Sequence, residues 1–242
     1  MAHDKTAVRK ILDKVKAEGR TSLTAPEGRF VCDAYGIPVP QEGVAKSAAE
    51  AAKLASEMGF PVVLKIVSPE ILHKTEAGGV LVGVKDAAAA EQGFATIMAN
   101  AKKYDAKANL LGVQVQQMLS GGQEVIIGAV TDPSFGKLVA FGLGGILVEV
   151  LKDATFRLAP ASQQDALSML DGIAAADVLK GVRGAKGIHR EALALVIQRV
   201  SELVTDFPEI SELDLNPIFA LPPGQGCRIV DARVRIETAR RD

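Results

Sequence analysis

Pro61-Val62-Val63-Leu64-Lys65-Ile66-Val67, then Ser68-Pro69-Glu70-Ile71-Leu72-His73-Lys74-Thr75-Glu76-Ala77-Gly78, then Gly79-Val80-Leu81-Val82-Gly83-Val84-Lys85, is the stretch that organises this chain. Its two ends are short runs rich in β-branched residues, which read as strands. The middle is polar and closes on a glycine pair, which reads as a loop. Upstream, Val8, Ile11, Leu12 and Val15 recur at helical spacing. Thr24-Ala25-Pro26-Glu27 and Ser47-Ala48-Ala49-Glu50 have the spacing of capping boxes. Helices are expected from the first to Tyr35 and from the second to Met58, with a short strand near 39–45 between them. Downstream, residues 87–103 read as a helix. Strands are expected at 112–118, 124–131, 137–141 and 146–151, joined by glycine-rich or Asp-Pro turns. Helices at 161–171 and 189–205 follow, and then strands at 212–218 and 228–234. Short connections between strands favour antiparallel pairing. The order is no regular alternation of strand and helix, so it predicts an α+β fold in two lobes.

Composition narrows the function. The chain has 242 residues and 48% hydrophobic content, enough for a sizeable core, but only 4% aromatics, so that core is aliphatic. A formal charge of -1 provides no global field to recruit nucleic acid or a membrane surface. The longest apolar stretch, 139–151, is short and contains Glu149, so it does not span a bilayer. Cys32 and Cys227 lack metal-type spacing and read as buried free thiols in a reducing, cytoplasmic setting. The segment 181–187, Gly181 to Gly187, reads as a mobile loop.

Four segments could carry chemistry. Lys65 sits inside an apolar strand, where an ammonium either reaches a nucleotide phosphate or marks an edge strand facing water. His73 lies in a polar loop ending in Gly78-Gly79; it is either a nucleophile or proton carrier, or a solvated turn residue. Glycine pairs allow close backbone approach to phosphate oxygens. Gly144-Gly145 precede Glu149, with Arg157 behind, which is either a nucleotide contact or a surface ion pair. Glu212, Asp214 and Asn216 alternate onto one face of a strand, and Asp231 is placed on a neighbouring strand. Oxygen ligands on adjacent strands suit Mg²⁺; a solvated polar face is the other reading.

Together these segments resemble one family, the ATP-grasp (β-type) subunit of ADP-forming acyl-CoA synthetases, the acetate–CoA ligase group, and more distantly the succinyl-CoA synthetase β-chain. The resemblance spans about residues 20–236. It implies an ATP-grasp fold, α+β, whose two lobes of mixed or antiparallel sheet hold ATP between them. The expected division is an N-terminal helix over 1–20, a first lobe with the phosphohistidine loop over 21–111, and a second lobe with the Mg-ATP ligands over 112–242. By the same resemblance His73 is the catalytic phosphohistidine. Lys65, Gly78, Gly79, Gln116, Gln117, Met118, Glu124, Arg157 and Asp214 are nucleotide-binding residues. Asn216 and Asp231 are Mg²⁺ ligands. ATP or ADP and Mg²⁺ are the cofactors. A CoA-binding α-type subunit is the implied partner, in a hetero-oligomer with two chains of each kind, and it would bind CoA and the carboxylic acid. Two other functions fit the same residues: another ATP-grasp enzyme joining a carboxylate to an amine, and a non-catalytic nucleotide-sensing subunit.

Overall fold

The structure, a computed structural model, describes residues 3–145, 153–181 and 186–237. The chain divides into two compact units: a larger one from the described residues of 1–23, 27–39 and 120–242, and a smaller one from 24–26 and 40–119.

The smaller unit is a four-stranded sheet backed by two helices. Its elements are β1 (Glu42–Ala45), α3 (Ala48–Met58), β2 (Val62–Val67), β3 (Val80–Val84), α4 (Ala87–Tyr104) and β4 (Gly112–Gln117). Strand order is β1-β4-β2-β3, with every neighbour antiparallel. Val62, Leu64, Ile66, Val113 and Val115 pack on Ala51, Ala55, Ala90 and Ile97 of the helices. Alternation then puts Val63, Lys65, Val67, Gln114 and Gln116 on the opposite face. The cap of α3 differs from a full capping box: the Ser47 hydroxyl accepts from the Glu50 amide, but Glu50 accepts from Lys46 and not from Ser47.

The larger unit holds α1 (Lys5–Ala17), most of α2 (Ala25–Ala34), β5 (Gln123–Asp132), β6 (Gly136–Leu143), β7 (Ala154–Leu158), α5 (Gln163–Gly172), α6 (Ala176–Lys180), α7 (Arg190–Asp206), β8 (Ile210–Ala220), β9 (Cys227–Ile229) and β10 (Ala232–Ile236). Its sheet runs β10-β8-β5-β6-β7, all antiparallel, with β9 also on β8. Val125, Ile127, Val139, Phe141, Leu213 and Leu215 form one core with Met169, Leu193, Ile197 and Val200 of the helices and Val8, Leu12 and Val15 of α1. None of the described helices is long and apolar enough to cross a membrane.

Several expectations change. The N-terminal helix is no separate piece, because its apolar face completes the core of the larger unit. The strand beginning at Gly112 belongs to the smaller unit, because β4 is the central partner of both β1 and β2. The expected strand at 228–234 is two strands, interrupted at Val230-Asp231, so Asp231 stands in a break and not on a strand. β7 and α6 were not anticipated. The expected strand at 146–151 and most of the loop at 181–187 lie outside the described residues.

α1 is also held by charge. Glu209 accepts from Arg9 and, at 3.0 Å, from Lys16. Burial opposes ionisation of Glu209, but the bonds from Arg9, from its own backbone and from Lys16 outweigh it and hold its pKa at about 2. A depressed folded value stabilises fully above the unfolded value of 4.5, and the contribution is lost as pH falls towards about 2. Glu209→Gln is expected to lower the Tm at neutral pH and to flatten its decline across that acid window. Parallel acid-unfolding curves for the two proteins would show the carboxylate to be irrelevant.

Candidate active site

In the smaller unit, Lys65 does not lie on an edge. It sits in β2 between Gln114 of β4 and Val80 of β3 and is 8% exposed. That removes the edge-strand explanation for a lysine in an apolar run. Beside it, Gln116 donates to Glu42 at 3.0 Å. Gln114 is 2% exposed, and its amide oxygen has no hydrogen-bond partner among the described residues. Neither Gln114 nor Glu42 was singled out from the sequence, although the alternation Gln114-Val115-Gln116 already carried the signal. At the end of the same strand, the Gln117 N–H donates to Gln41 at 2.9 Å and the Met118 N–H to Pro61 at 3.3 Å. Neither N–H is therefore available to a bound base.

The loop from Ser68 to Gly79 joins β2 to β3. The Gly79 carbonyl accepts from the Ile66 N–H at 2.7 Å, so the glycine pair lies against the lysine strand. A Cβ on Gly79 would come within 2.5 Å of the Ile66 side chain and 3.0 Å of the Lys74 carbonyl. Gly79→Ala is accordingly expected to destabilise the smaller unit by about 1–3 kcal/mol through overpacking. Chemical denaturation measures this, and a midpoint equal to that of the wild type would contradict the close approach. His73 lies at the far part of the loop with its side chain 65% exposed.

In the larger unit, β8 brings the oxygen ligands together. Asp214 and Glu212 project from the face opposite the core residues Leu213 and Leu215. Between Val125 and Ile127 the pairing with β8 shifts, so Asn216 and Pro217 face one residue, Ile126. This bulge turns Asn216 out of the regular ladder. On its other side the Asn216 N–H donates to the Asp231 carbonyl at 3.2 Å. The break between β9 and β10 thus sets Asp231 directly beside Asn216, and the Arg233 guanidinium is 3.9 Å from the Asp231 carboxylate. Arg233 also pairs in register with Asp214. Burial raises the Asp214 pKa; Arg233 opposes this, while Glu212 and Asp231 add to it. Arg233 was missed in the sequence, although Arg233-Val234-Arg235 alternates as clearly as Asp214-Leu215-Asn216.

Glu124 lies on β5 on the same face as Asp214, with Gly145 close enough that an added Cβ would meet its carboxylate at 3.2 Å. Arg157 is not brought to this face. It points to the helical side of β7 and donates to Ser168 of α5 at 2.9 Å. Phe156 and Leu158, each 55% exposed, occupy the open side instead. Arg157, expected from the sequence as a nucleotide contact, is thus placed on the face of the sheet opposite that of Glu124 and Asp214. Its possible partner Glu149 lies outside the described residues.

Oxygen-only donors suit a hard divalent cation. Among the described residues no group of three or more His, Cys, Asp or Glu side chains is arranged to hold a metal. Asn216 and Asp231 thus offer a partial set, of the kind Mg²⁺ takes when phosphates supply the remaining oxygens.

Two α+β units, one carrying a buried lysine beside a glycine-closed loop and the other a small set of oxygen ligands, define a nucleotide-binding class of protein. The model of the ATP-grasp domain family matches residues 14–236, and the chain belongs to that family. Within it, the chain groups with the ADP-forming acyl-CoA ligases. It is 49% identical over 226 residues to the β subunit of acetate–CoA ligase (ADP-forming) I of Pyrococcus furiosus, covering 93% of this chain and 96% of that one. It is 48% identical over 231 residues to the 4-hydroxybutyrate–CoA ligase (ADP-forming) of Nitrosopumilus maritimus, where it covers 96% of this chain but spans only 33% of the relative's length. Among solved structures it resembles acetyl-coenzyme A synthetase 1 of Ca. Korarchaeum cryptofilum in complex with coenzyme A and Ca-AMPCP. The TM-score is 0.90 at 41% identity, over 95% of this chain and 99% of that one. The same protein with Mg-AMPPCP, its phosphohistidine segment pointing towards the nucleotide-binding site, matches with a TM-score of 0.83 at 38% identity, over 95% of this chain and 100% of that one.

Proposed function

We propose that this chain is the nucleotide half of an ADP-forming acyl-CoA synthetase, moving phosphate between ATP or ADP and His73. The observation that carries the proposal is the join of Lys65 to the His73 loop: a buried lysine on a central strand, with the loop's glycine base bonded to that strand and its histidine held out in solvent. Lys65 would hold phosphate oxygens as a point charge. His73 would attack the γ-phosphorus of ATP, or return phosphate to ADP in the reverse direction. Gln116, Gln117, Met118 and Glu124 would line the nucleoside end, with Gln117 and Met118 contributing groups other than their N–H. Asn216 and Asp231 would hold Mg²⁺, with Asp214 beside them, and the ion would neutralise charge on the phosphates.

The acyl half belongs to a second, CoA-binding chain, in a hetero-oligomer with two chains of each kind. Some relatives of this chain are named as β subunits, and the longer ones match more than nine tenths of it within about a third of their own length. Two buried cysteines, Cys32 and Cys227, support a reducing, cytoplasmic setting. Burial pushes the Cys227 thiol up to about 11, which keeps it unreactive near neutral pH.

The test is to assemble the chain with a CoA-binding subunit and supply γ-labelled ATP, CoA and a panel of carboxylic acids. The expected products are ADP, phosphate and a CoA thioester, with an acid-labile, alkali-stable phosphate on this chain. Amide formation without a CoA thioester would instead identify a carboxylate–amine ligase. Nucleotide binding without any turnover would identify a sensing subunit.

A further inference from the structure

The His73 loop is closed by hydrogen bonds within the turn and at both of its ends. The Ala77 N–H donates to the His73 carbonyl at 3.2 Å, the Gly78 N–H to Thr75 at 3.0 Å and the Gly79 N–H to Lys74 at 2.8 Å. At its start, the Glu70 carboxylate accepts from the Ser68 hydroxyl at 2.9 Å and from the Asn109 N–H at 3.0 Å, while Ile71 is buried. At its end, the Asn100 amide donates to the Gly78 carbonyl at 2.9 Å, while Ala77 is buried. The bond from Ala77 back to His73 closes a single turn, and across one turn residues three apart can share a face. His73 and Glu76 are such a pair. His73 Nδ1 lies 3.8 Å from Glu76 Oε1, and the two side chains are 65% and 72% exposed. Imidazole and carboxylate therefore leave the body of the unit together, on one closed turn.

We propose that Glu76 is the positioning residue of the phosphate carrier: it takes the Nδ1 proton of His73 as a hydrogen bond, directs phosphate to Nε2, and travels with the imidazole wherever the turn goes. The inference rests on the proposal that His73 carries phosphate. The imidazole nitrogen that faces an acceptor keeps its proton, and the nitrogen on the other side of the ring keeps its lone pair. With Nδ1–H turned to Glu76, the lone pair of Nε2 is left for attack. The 3.8 Å gap is longer than a hydrogen bond, and bonds of this kind tighten when the reacting complex forms. In the step itself, the Nε2 lone pair forms a bond to the γ-phosphorus. The bond from that phosphorus to the β,γ-bridging oxygen breaks, and ADP leaves with the electron pair. The Nδ1 proton stays, so the ring becomes a cationic phosphoimidazolium, and the Glu76 carboxylate balances its charge. A carboxylate fixed to the scaffold would lose this contact whenever the turn moved. One carried three residues along the same turn does not.

The experiment is nitrogen and phosphorus NMR of the full chain with its CoA-binding partner, using ¹⁵N-histidine and ATP, alongside rapid-quench phosphorylation rates. The wild type is expected to show the Nδ1–H tautomer before reaction and an Nε2–phosphorus coupling after it. Glu76→Ala is expected to shift the tautomer towards Nε2–H and to slow phosphorylation roughly tenfold or more with nucleotide affinity unchanged. Glu76→Gln, which keeps an acceptor but no charge, is expected to restore the tautomer and only part of the rate. Phosphate on Nδ1 in the wild type, or a Glu76→Ala protein with unaltered tautomer and rate, would overturn the role of Glu76 while leaving His73 as carrier. Absence of phosphate from His73 in the wild type is a different result and would overturn both.

Discussion

Replacing His73 with Asn is expected to abolish phosphate transfer between ATP and the acyl-CoA reaction, by about 10³-fold or more, while leaving the fold and nucleotide binding intact. The size follows from its role. A residue that forms the covalent intermediate has no substitute when it is removed, whereas one that assists a step leaves a slower version of it. Its position explains why the loss is confined to chemistry. The His73 side chain is 65% exposed, so Asn in its place neither opens a cavity nor strands a buried group. Among the described residues the other imidazoles belong to His3, stacked on Tyr35, and His189, at the start of α7, both in the larger unit. The measurements are labelled phosphate on the chain, steady-state acyl-CoA-dependent ATP synthesis, and Tm with and without ADP. Activity within tenfold of the wild type would remove His73 from the mechanism.

Lys65→Met should have the second largest effect. Methionine keeps the length and volume of the lysine stem and removes the charge. The strand that holds Lys65 is paired on both sides and its other residues are buried, so the backbone position does not depend on the ammonium. A low-dielectric surrounding makes a charge worth more to a phosphate there than at the surface. The expected loss is about 10²-fold or more in kcat/KM, of the order seen when one preorganised charge-stabilising group is removed. Weaker ATP and ADP binding, read by titration calorimetry, should accompany it. Unchanged nucleotide affinity would mean that Lys65 is a structural lysine with no phosphate to hold.

Much of the site was legible because its parts are local. A lysine in an apolar run, a histidine in a polar loop closed by two glycines, and acidic residues alternating with leucines each announce themselves within a dozen residues. Even there the physics of the fold altered the details. Asp231 reaches Asn216 because the ladder breaks at Val230-Asp231, not because a strand continues through it. Gln114 and Arg233 escaped notice because their weight comes from neighbours on other strands, Lys65 and Asp214.

Arg157 shows where a local pattern misleads. In Ala154-Thr155-Phe156-Arg157-Leu158 the apolar residues would be expected inside and the arginine outside. β7 instead turns Thr155 and Arg157 towards α5, where they bond to Met169 and Ser168, and leaves Phe156 and Leu158 exposed. At the end of a sheet, pairing with β6 sets the register, and the register decides which side each residue faces.

The sequence by itself determined the kinds of element and most of their extents, the loop between the lysine strand and the glycine pair, and the family resemblance. These depend on periodicity, caps and turn residues, which act over a few positions. The tertiary structure alone decided that α1 completes the core of the larger unit, that β4 is the centre of the smaller sheet, and which face β7 presents. Those outcomes depend on burial and pairing between residues far apart in the chain, and no short window of sequence contains both partners.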